Sequence, residues 1–392
     1  MYPRICNLSK SNSFFLFGPR GSGKTWYLRE FFNQAEDDVT YLNLLDEKIY
    51  LDLLADPSRL YNYLKKGAPA LQWIVIDEVQ RIPSLLNTVH QILEDPQYYG
   101  KVRFALTGSS ARKLKRGGAN LLAGRAFLYN LYPLSIFETK GSWELSQALN
   151  WGSLPKIVTA ESDETREEFL YAYVNTYLKE ELREEQIVRK IEPFGRFLEA
   201  AAQANGTIVQ YSNIARASKV DEKSVARYFE ILEDTLLGFF LEPFSNSARE
   251  RTVSKSKFYF FDPGITRVVS HSLSAPLQPG TYAWGKAFEH LFILECIKLN
   301  SYKRLRAKFS YLRTKDDAEI DLIIEKPGSG PICLEIKSGS SVETTQVKRF
   351  KTISSSIKNS SPIMIYGGQQ EQCIEDVRVL PWEQGLREIF GE

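Results

Sequence analysis

The 392-residue chain is poor in the side chains that most often announce chemistry, with four cysteines, three histidines and two methionines. Cys6, Cys296, Cys333 and Cys373 are scattered, without a C-x-x-C pair or metal-site spacing, and read as reduced thiols of a cytoplasmic protein. His90, His271 and His290 show no metal spacing either and are expected to be packed or surface residues. No secretory leader pattern opens the chain, and no apolar run approaches the ~20 residues needed to span a bilayer. An excess of charge is missing too: 50 Lys and Arg stand against 48 Asp and Glu, a net charge of +2, so any surface for nucleic acid must be local. What remains, 43% apolar and 25% charged residues, is the composition of a globular protein. The length exceeds one ordinary core and implies two or three domains.

The front third carries the clearest chemistry. In "SFFLFGPRGSGKTWYLREFFNQ" a short apolar run meets a Gly-rich turn, and apolar residues at helical spacing follow. The turn, Gly18, Pro19, Arg20, Gly21, Ser22, Gly23, Lys24 and Thr25, fits G-x-x-x-x-G-K-[ST] in strand–loop–helix context. Gly21 and Gly23 let backbone N–H groups wrap an anion, and the helix N-terminus behind them favours negative charge. Lys24 is placed to reach the β- and γ-phosphates of ATP, and the Thr25 hydroxyl to ligate Mg²⁺. "LQWIVIDEVQ" ends an apolar strand in Asp77 and Glu78. Carboxylates at the carboxyl end of a buried strand sit where α/β sheets bind ligands. Asp77 suits the magnesium shell and Glu78 suits polarising the attacking water. Further strands are expected at 39–45, 102–108 and 127–135, with helices such as "PSLLNTVHQILED" between them, giving a five-stranded parallel sheet.

"LFGPRGSGK", "VIDEVQRIP", "LTGSSARKL" and "AGRAFLYNLYPLS" together resemble one prokaryotic group of AAA-type ATPases, whose members carry a C-terminal domain of unknown function with a nuclease-like fold. The resemblance implies a polar sensor at the end of the fourth strand, filled by Thr107 or Ser109. It also implies an arginine finger just before the last strand, where Arg125 stands, acting on a neighbouring subunit's γ-phosphate. Such fingers are worth roughly 10³-fold or more in rate. A homo-oligomer, as a ring or an open assembly, follows from that role.

"WGSLPKIV" (151–158) resembles a small motif of the same group, and the charged run 168–191 reads as a helix of a lid. Residues 211–244 show a short helix, a turn at Lys219–Asp221 with Asp221 as N-cap, and a longer helix. Val225, Tyr228, Phe229, Leu232 and Leu236 form the longer helix's apolar stripe. Two strands, "FFLEPF" and "KFYFFD", complete a winged helix, which the resemblance also implies. Arg249, Arg251, Lys255 and Lys257 put four basic charges against Glu250 around the wing, and Lys223 and Arg227 stand on the second helix. Contact with DNA and plain packing both fit this pattern.

In the back third, Glu289 sits near the start of the helical run 284–299. "SYKRLRAKFSYLRTK" holds six basic residues and no acid, "AEIDLIIEK" is a strand with Asp321, and "ICLEIKSG" is a strand with Glu335 and Lys337. Alternation puts Glu335 and Lys337 on one face and Leu334 and Ile336 on the other. That order is the signature of the PD-(D/E)xK nuclease fold, as the resemblance implies. In that chemistry Asp321 and Glu335 hold Mg²⁺, Glu289 completes the shell and Lys337 stabilises developing charge. Gln346, in the next helix, is placed to orient a phosphate or base. The fold is also reused without cleavage, so the residues leave cleavage open.

The sequence therefore predicts an α/β protein in four parts: an AAA-type ATPase domain (1–140), a helical lid or linker (141–200), a winged helix (201–270) and a nuclease-like domain (271–392). The function it predicts is ATP hydrolysis driving conformational change on DNA, with metal-dependent cleavage at the second site if that site is active. The alternative is an ATP-dependent regulatory switch, of a signalling or toxin–antitoxin kind, whose last domain only binds a partner.

Overall fold

The computed structural model describes residues 2–33, 38–65, 71–109, 114, 122, 124–178, 191–245, 255–314 and 316–391. They gather into two compact units, Met1–Leu134 with Asp234–Leu236, and Ser135–Glu233 with Leu237–Glu392. Arg249, Glu250, Arg251 and residues 179–190 of the expected lid helix lie outside the described residues.

The first unit is built on strands β1 (Ser13–Phe17), β2 (Asp38–Asn43), β3 (Gln72–Asp77), β4 (Val102–Gly108) and β5 (Ala126–Asn130), ordered β2-β3-β4-β1-β5 and all parallel. Apolar runs fill β1 and β3 because both faces are covered, and both strands are buried along their whole length. Phe14 and Phe32 pack tilted against Trp73, with ring centroids 5.6 and 5.2 Å from it. Two strands end earlier than their apolar runs. β2 stops at Asn43 because Asp46 turns the chain, its carboxylate accepting from Lys48 and Ile49 N–H at the head of helix Glu47–Ala55. β5 stops at Asn130, after which Leu131 N–H still reaches the Phe17 carbonyl at 2.7 Å, and Pro133 has no N–H to continue the ladder.

The second unit holds an eight-stranded mixed sheet. Its strands are β6 (Gly238–Pro243), β7 (Lys257–Phe260), β8 (Lys308–Arg313), β9 (Glu319–Glu325), β10 (Ile332–Lys337), β11 (Ser361–Tyr366), β12 (Gln372–Ile374) and β13 (Val377–Pro381), ordered β12-β13-β11-β10-β9-β8-β6-β7. The hairpin expected as a separate wing is the edge of this sheet: β6 and β7 pair antiparallel, and β6 joins β8 at Glu242↔Ser310 and Pro243↔Tyr311. Helices Tyr211–Ser218 and Glu222–Asp234 flank the expected turn, with Lys219 in the left-handed region and Asp221 accepting Ser224 N–H at 2.9 Å. Val225, Phe229 and Leu232 are buried as the spacing requires, and Phe229 packs on Phe197 and Phe258. Leu236 lies past the helix end.

Helix Tyr282–Tyr302 runs through this unit and explains the "YPLS" and "WGSLP" stretches. Its Glu295 accepts from Ser135 Oγ at 2.6 Å and Ile136 N at 3.1 Å, and is paired with Lys298 at 2.8 Å; Lys298 also donates to Ser153 Oγ at 3.2 Å. Gly152, at φ 78°, leaves space for buried Asp262, whose carboxylate a Cβ there would strike. Asp262 in turn accepts Ser153 N–H at 2.7 Å and caps helix Pro263–Val269.

His290 on the same long helix is buried and donates Nε2–H to the Phe260 carbonyl at 2.6 Å. Burial drives its pKa down to about 4. As the pH falls below ~6.5 the unfolded chain takes up a proton that the folded chain refuses until about 4. Stability is therefore complete above that window and falls through it, by about 1.4 kcal/mol per pH unit. His290→Gln is expected to flatten the difference between urea unfolding at pH 7 and at pH 5; an unchanged difference would assign the acid sensitivity elsewhere.

Candidate functional site

The loop after β1 forms because its glycines adopt what other residues resist. Gly21 and Gly23 have φ of 78° and 93°, open to glycine at no steric cost. Gly18 has a different reason: a Cβ there would overlap the Leu131 carbonyl oxygen beyond β5. Arg4 fastens the loop from the N-terminal segment, donating to the carbonyls of Ser22 at 2.8 Å and Tyr132 at 2.6 Å. Lys24 is buried at the head of helix Lys24–Asn33, and its Nζ donates to the loop carbonyls of Gly18 (2.7 Å) and Pro19 (3.2 Å). Pro19 and Arg20 complete the turn, and Ser22 Oγ is buried with no hydrogen-bond partner.

Across from the loop, at the end of β3, Asp77 accepts from the hydroxyl of Thr25 at 2.7 Å and from that of Thr107. Glu78 stands in the left-handed region (φ 60°), a conformation that costs a non-glycine residue of order 1 kcal/mol and clusters at functional sites. Gln80, unnoticed in the sequence, connects the two remaining candidates: its Nε2 donates to Glu78 Oε2 and to Ser109 Oγ at 3.3 Å. So Thr107 serves Asp77, while Ser109 belongs with Glu78. Gly108 makes room for this, since a Cβ would strike Gln80 Oε1.

The donor set fits a nucleotide with its Mg²⁺. A cradle of left-handed glycines, an unpartnered buried hydroxyl and an ammonium resting on its own loop leave polar groups for phosphates to satisfy, and Thr25 with Asp77 offers hard oxygens suited to Mg²⁺. The metal, when bound, supplies charge neutralisation on the phosphates. Arg125 lies elsewhere: it precedes β5, whose first residue is level with Ser13, so it stands at the opposite end of the sheet from the loop and pairs with Glu94 at 2.5 Å. A strand of this length spans about 17 Å, too far for Arg125 to serve its own loop.

The C-terminal candidates come together on β9, β10 and the helix Tyr282–Tyr302, but not as a metal shell. Glu335 pairs with Lys337 at 2.6 Å on one face of β10, with Leu334 and Ile336 buried on the other, as alternation requires. Asp321 Oδ2 accepts Ile336 N–H at 2.8 Å. Glu289 is held by Tyr259 OH at 2.8 Å and Lys286 at 2.9 Å, with Lys257 at 3.6 Å. Lys257 also bonds Glu319. Among the described residues no three His, Cys, Asp or Glu side chains gather closely enough to hold a metal ion. Lys257, grouped in the sequence with the basic charges around the wing, for which DNA contact and packing both fitted, is 2% exposed inside this cluster. Alternation within "KFYF" could not show which face of β7 is covered.

The electrostatics follow the geometry. Burial, then Glu335 and Glu289, pushes the Asp321 carboxyl well above the ordinary range, and burial raises Glu335 as well. Burial opposes ionisation of Glu289, yet Lys257 and Lys286 hold its carboxyl below the ordinary range. Beside the cluster a cavity of about 290 Å³ is lined by Asp321, Glu335, Lys337, Gln346 and Arg349, among others. Gln346 spends its carbonyl on the Glu343 N–H at its helix start.

Family models match three stretches of the chain. Residues 10–140 match an AAA domain. They are a P-loop domain of the AAA type. Residues 142–274 and 284–384 each match a domain of unknown function. An uncharacterized protein of Mycobacterium tuberculosis is 26% identical over 375 residues, 95% of this chain and 80% of its own. An uncharacterized protein of Haemophilus influenzae is 21% identical over 397 residues, 93% of this chain and 92% of its own. Among solved structures, the Aeropyrum pernix ORC1 protein in complex with DNA covers 68% of this chain and 87% of its own at 14% identity and a TM-score of 0.26. Drosophila ORC bound to DNA covers 68% and 91% at 13% identity and a TM-score of 0.24. Likeness at these scores says nothing of this chain's partners. No helix among the described residues is long and apolar enough to cross a membrane.

Proposed function

We propose that the protein hydrolyses ATP at the P-loop and uses it to change conformation on DNA. The observation that carries the ATPase reading is Thr25 Oγ1 on Asp77 Oδ2 at 2.7 Å, which joins the loop to the β3 acid whose neighbour, Glu78, is placed as the base. Asp77 and Thr25 hold the metal, Lys24 and the loop N–H groups take the phosphates, and Glu78, steadied by Gln80 and Ser109, draws the proton from water. Arg125 acts in trans, in an oligomer, because its own loop is out of reach. Turnover per subunit that rises with protein concentration is the mark of that arrangement.

DNA as partner is supported by Lys223 and Arg227, both exposed on the second helix of the pair, and by exposed Arg306 and Lys308 leading into β8. We read the helix pair with its hairpin as a winged helix whose strands form the edge of a nuclease-like sheet. The test is ATP turnover of the purified chain with and without duplex, single-stranded and branched DNA. Stimulation is expected, and Lys223→Ala with Arg227→Ala is expected to weaken binding and lower the salt slope by about 0.9 per lost phosphate contact. The lysine pairing of the C-terminal carboxylates favours a second reading of that domain, as a module that binds a partner without cleaving. ATP-dependent assembly indifferent to DNA would select it for the whole protein.

A further inference from the structure

Three ammonium groups stand among the four carboxylates of the C-terminal cluster, and one of them comes from a distant hairpin. We infer that Lys257 occupies this cluster in place of a divalent cation, so that the site is held together without metal. β7 carries Lys257 to within a hydrogen bond of Glu319 and 3.6 Å of Glu289, and its Nζ lies 5.1 Å from the centre of the Tyr311 ring. At 2% exposure this charge is shielded from water, and its compensation comes from the carboxylates around it and the Tyr311 ring.

Several of the oxygens that a metal would use already have partners. Glu289 has Tyr259 OH on Oε1 and Lys286 on Oε2; Glu335 Oε1 has Lys337; Asp321 Oδ2 has the Ile336 N–H. Mg²⁺ demands oxygens at about 2.0–2.1 Å in near-octahedral order, and their lone pairs must face it. A divalent ion entering here would meet a buried ammonium beside the same carboxylates, and like charges at such range repel strongly in a poorly solvated place. The lysine does for the carboxylates what a metal does, neutralising and gathering them. It also ties β7 to β9 and to helix Tyr282–Tyr302, so the hairpin edge of the sheet is pinned by charge as well as by its ladder. The inference is independent of the ATPase reading, because no nucleotide enters its test.

The experiment is calorimetric titration of the nucleotide-free full chain with MnCl₂ after EDTA treatment and desalting. Wild type and Asp321→Asn are expected to take up the same number of Mn²⁺, whatever the P-loop site itself binds. Lys257→Met, which keeps the length of the side chain, is expected to gain a further Mn²⁺ site at least tenfold tighter than any residual wild-type binding there, and to lose it again in Lys257→Met/Asp321→Asn. One more Mn²⁺ in wild type than in Asp321→Asn would overturn the inference, and that arm stands even where Lys257→Met fails to fold. A folded Lys257→Met chain with no added uptake would overturn it too.

Discussion

Glu78→Gln is expected to bind ATP as the wild type does and to turn it over some 10²–10⁴-fold more slowly, the range by which a positioned base accelerates a reaction. The substitution keeps shape and keeps a partner for Gln80, while Thr25, Asp77 and Thr107 are untouched on the metal side. Only the charge that draws a proton from the attacking water is lost. Lys24→Ala should fail one step earlier. It deletes the ammonium that rests on the Gly18 and Pro19 carbonyls and is poised to meet phosphate, so nucleotide binding itself is lost. The pair is read by fluorescent-nucleotide binding alongside phosphate release. Normal turnover in Glu78→Gln would remove the base from the proposal. Normal binding in Lys24→Ala would remove the P-loop.

Lys298→Met is expected to cost the second unit about 3–5 kcal/mol, the penalty for stripping one partner from a buried ion pair. Glu295 and Lys298 are each 1% exposed, and Glu295 also anchors Ser135 Oγ and Ile136 N–H, so it cannot swing to water without abandoning them. Glu295→Gln added to Lys298→Met removes the stranded charge and leaves an acceptor for both anchors. Most of the loss should return. Urea unfolding followed by tryptophan emission reads both variants, since Trp143, Trp151, Trp284 and Trp382 all belong to this unit. A loss below about 1 kcal/mol in Lys298→Met would mean that water reaches the pair, as at an ordinary surface salt bridge.

The proposed nucleotide site was legible because its parts are contiguous and its physics is local. Glycines that permit positive φ, a lysine and a threonine at fixed offsets, and an apolar strand ending in acids specify a phosphate loop before any packing is known. The five-stranded parallel sheet and the AAA match followed the sequence reading, and Thr25 and Asp77, singled out there, lie within a hydrogen bond of each other. Gln80 was within reach of the same reading, two residues beyond Glu78, but nothing in its spacing distinguishes a positioning amide from a surface one. Only the tight approach at Gly108 reveals its place.

In the second unit the sequence determined elements and faces: the alternation of "LEIK", the cap at Asp221, the long helix with Glu289. Which charges would meet was decided by the tertiary structure alone. Lys257 lies 32 residues from Glu289 and 62 from Glu319, and a lysine in a four-residue strand reads as solvent-facing until β6 is found paired to β8. The same applies to Glu295, which ties Ser135 to a helix 160 residues away. A backbone turn is written by neighbours in the chain. A buried charge is satisfied by whatever the fold brings to it, and in this protein the fold brings Lys257 to Glu289, one of the carboxylates that the sequence grouped as metal ligands.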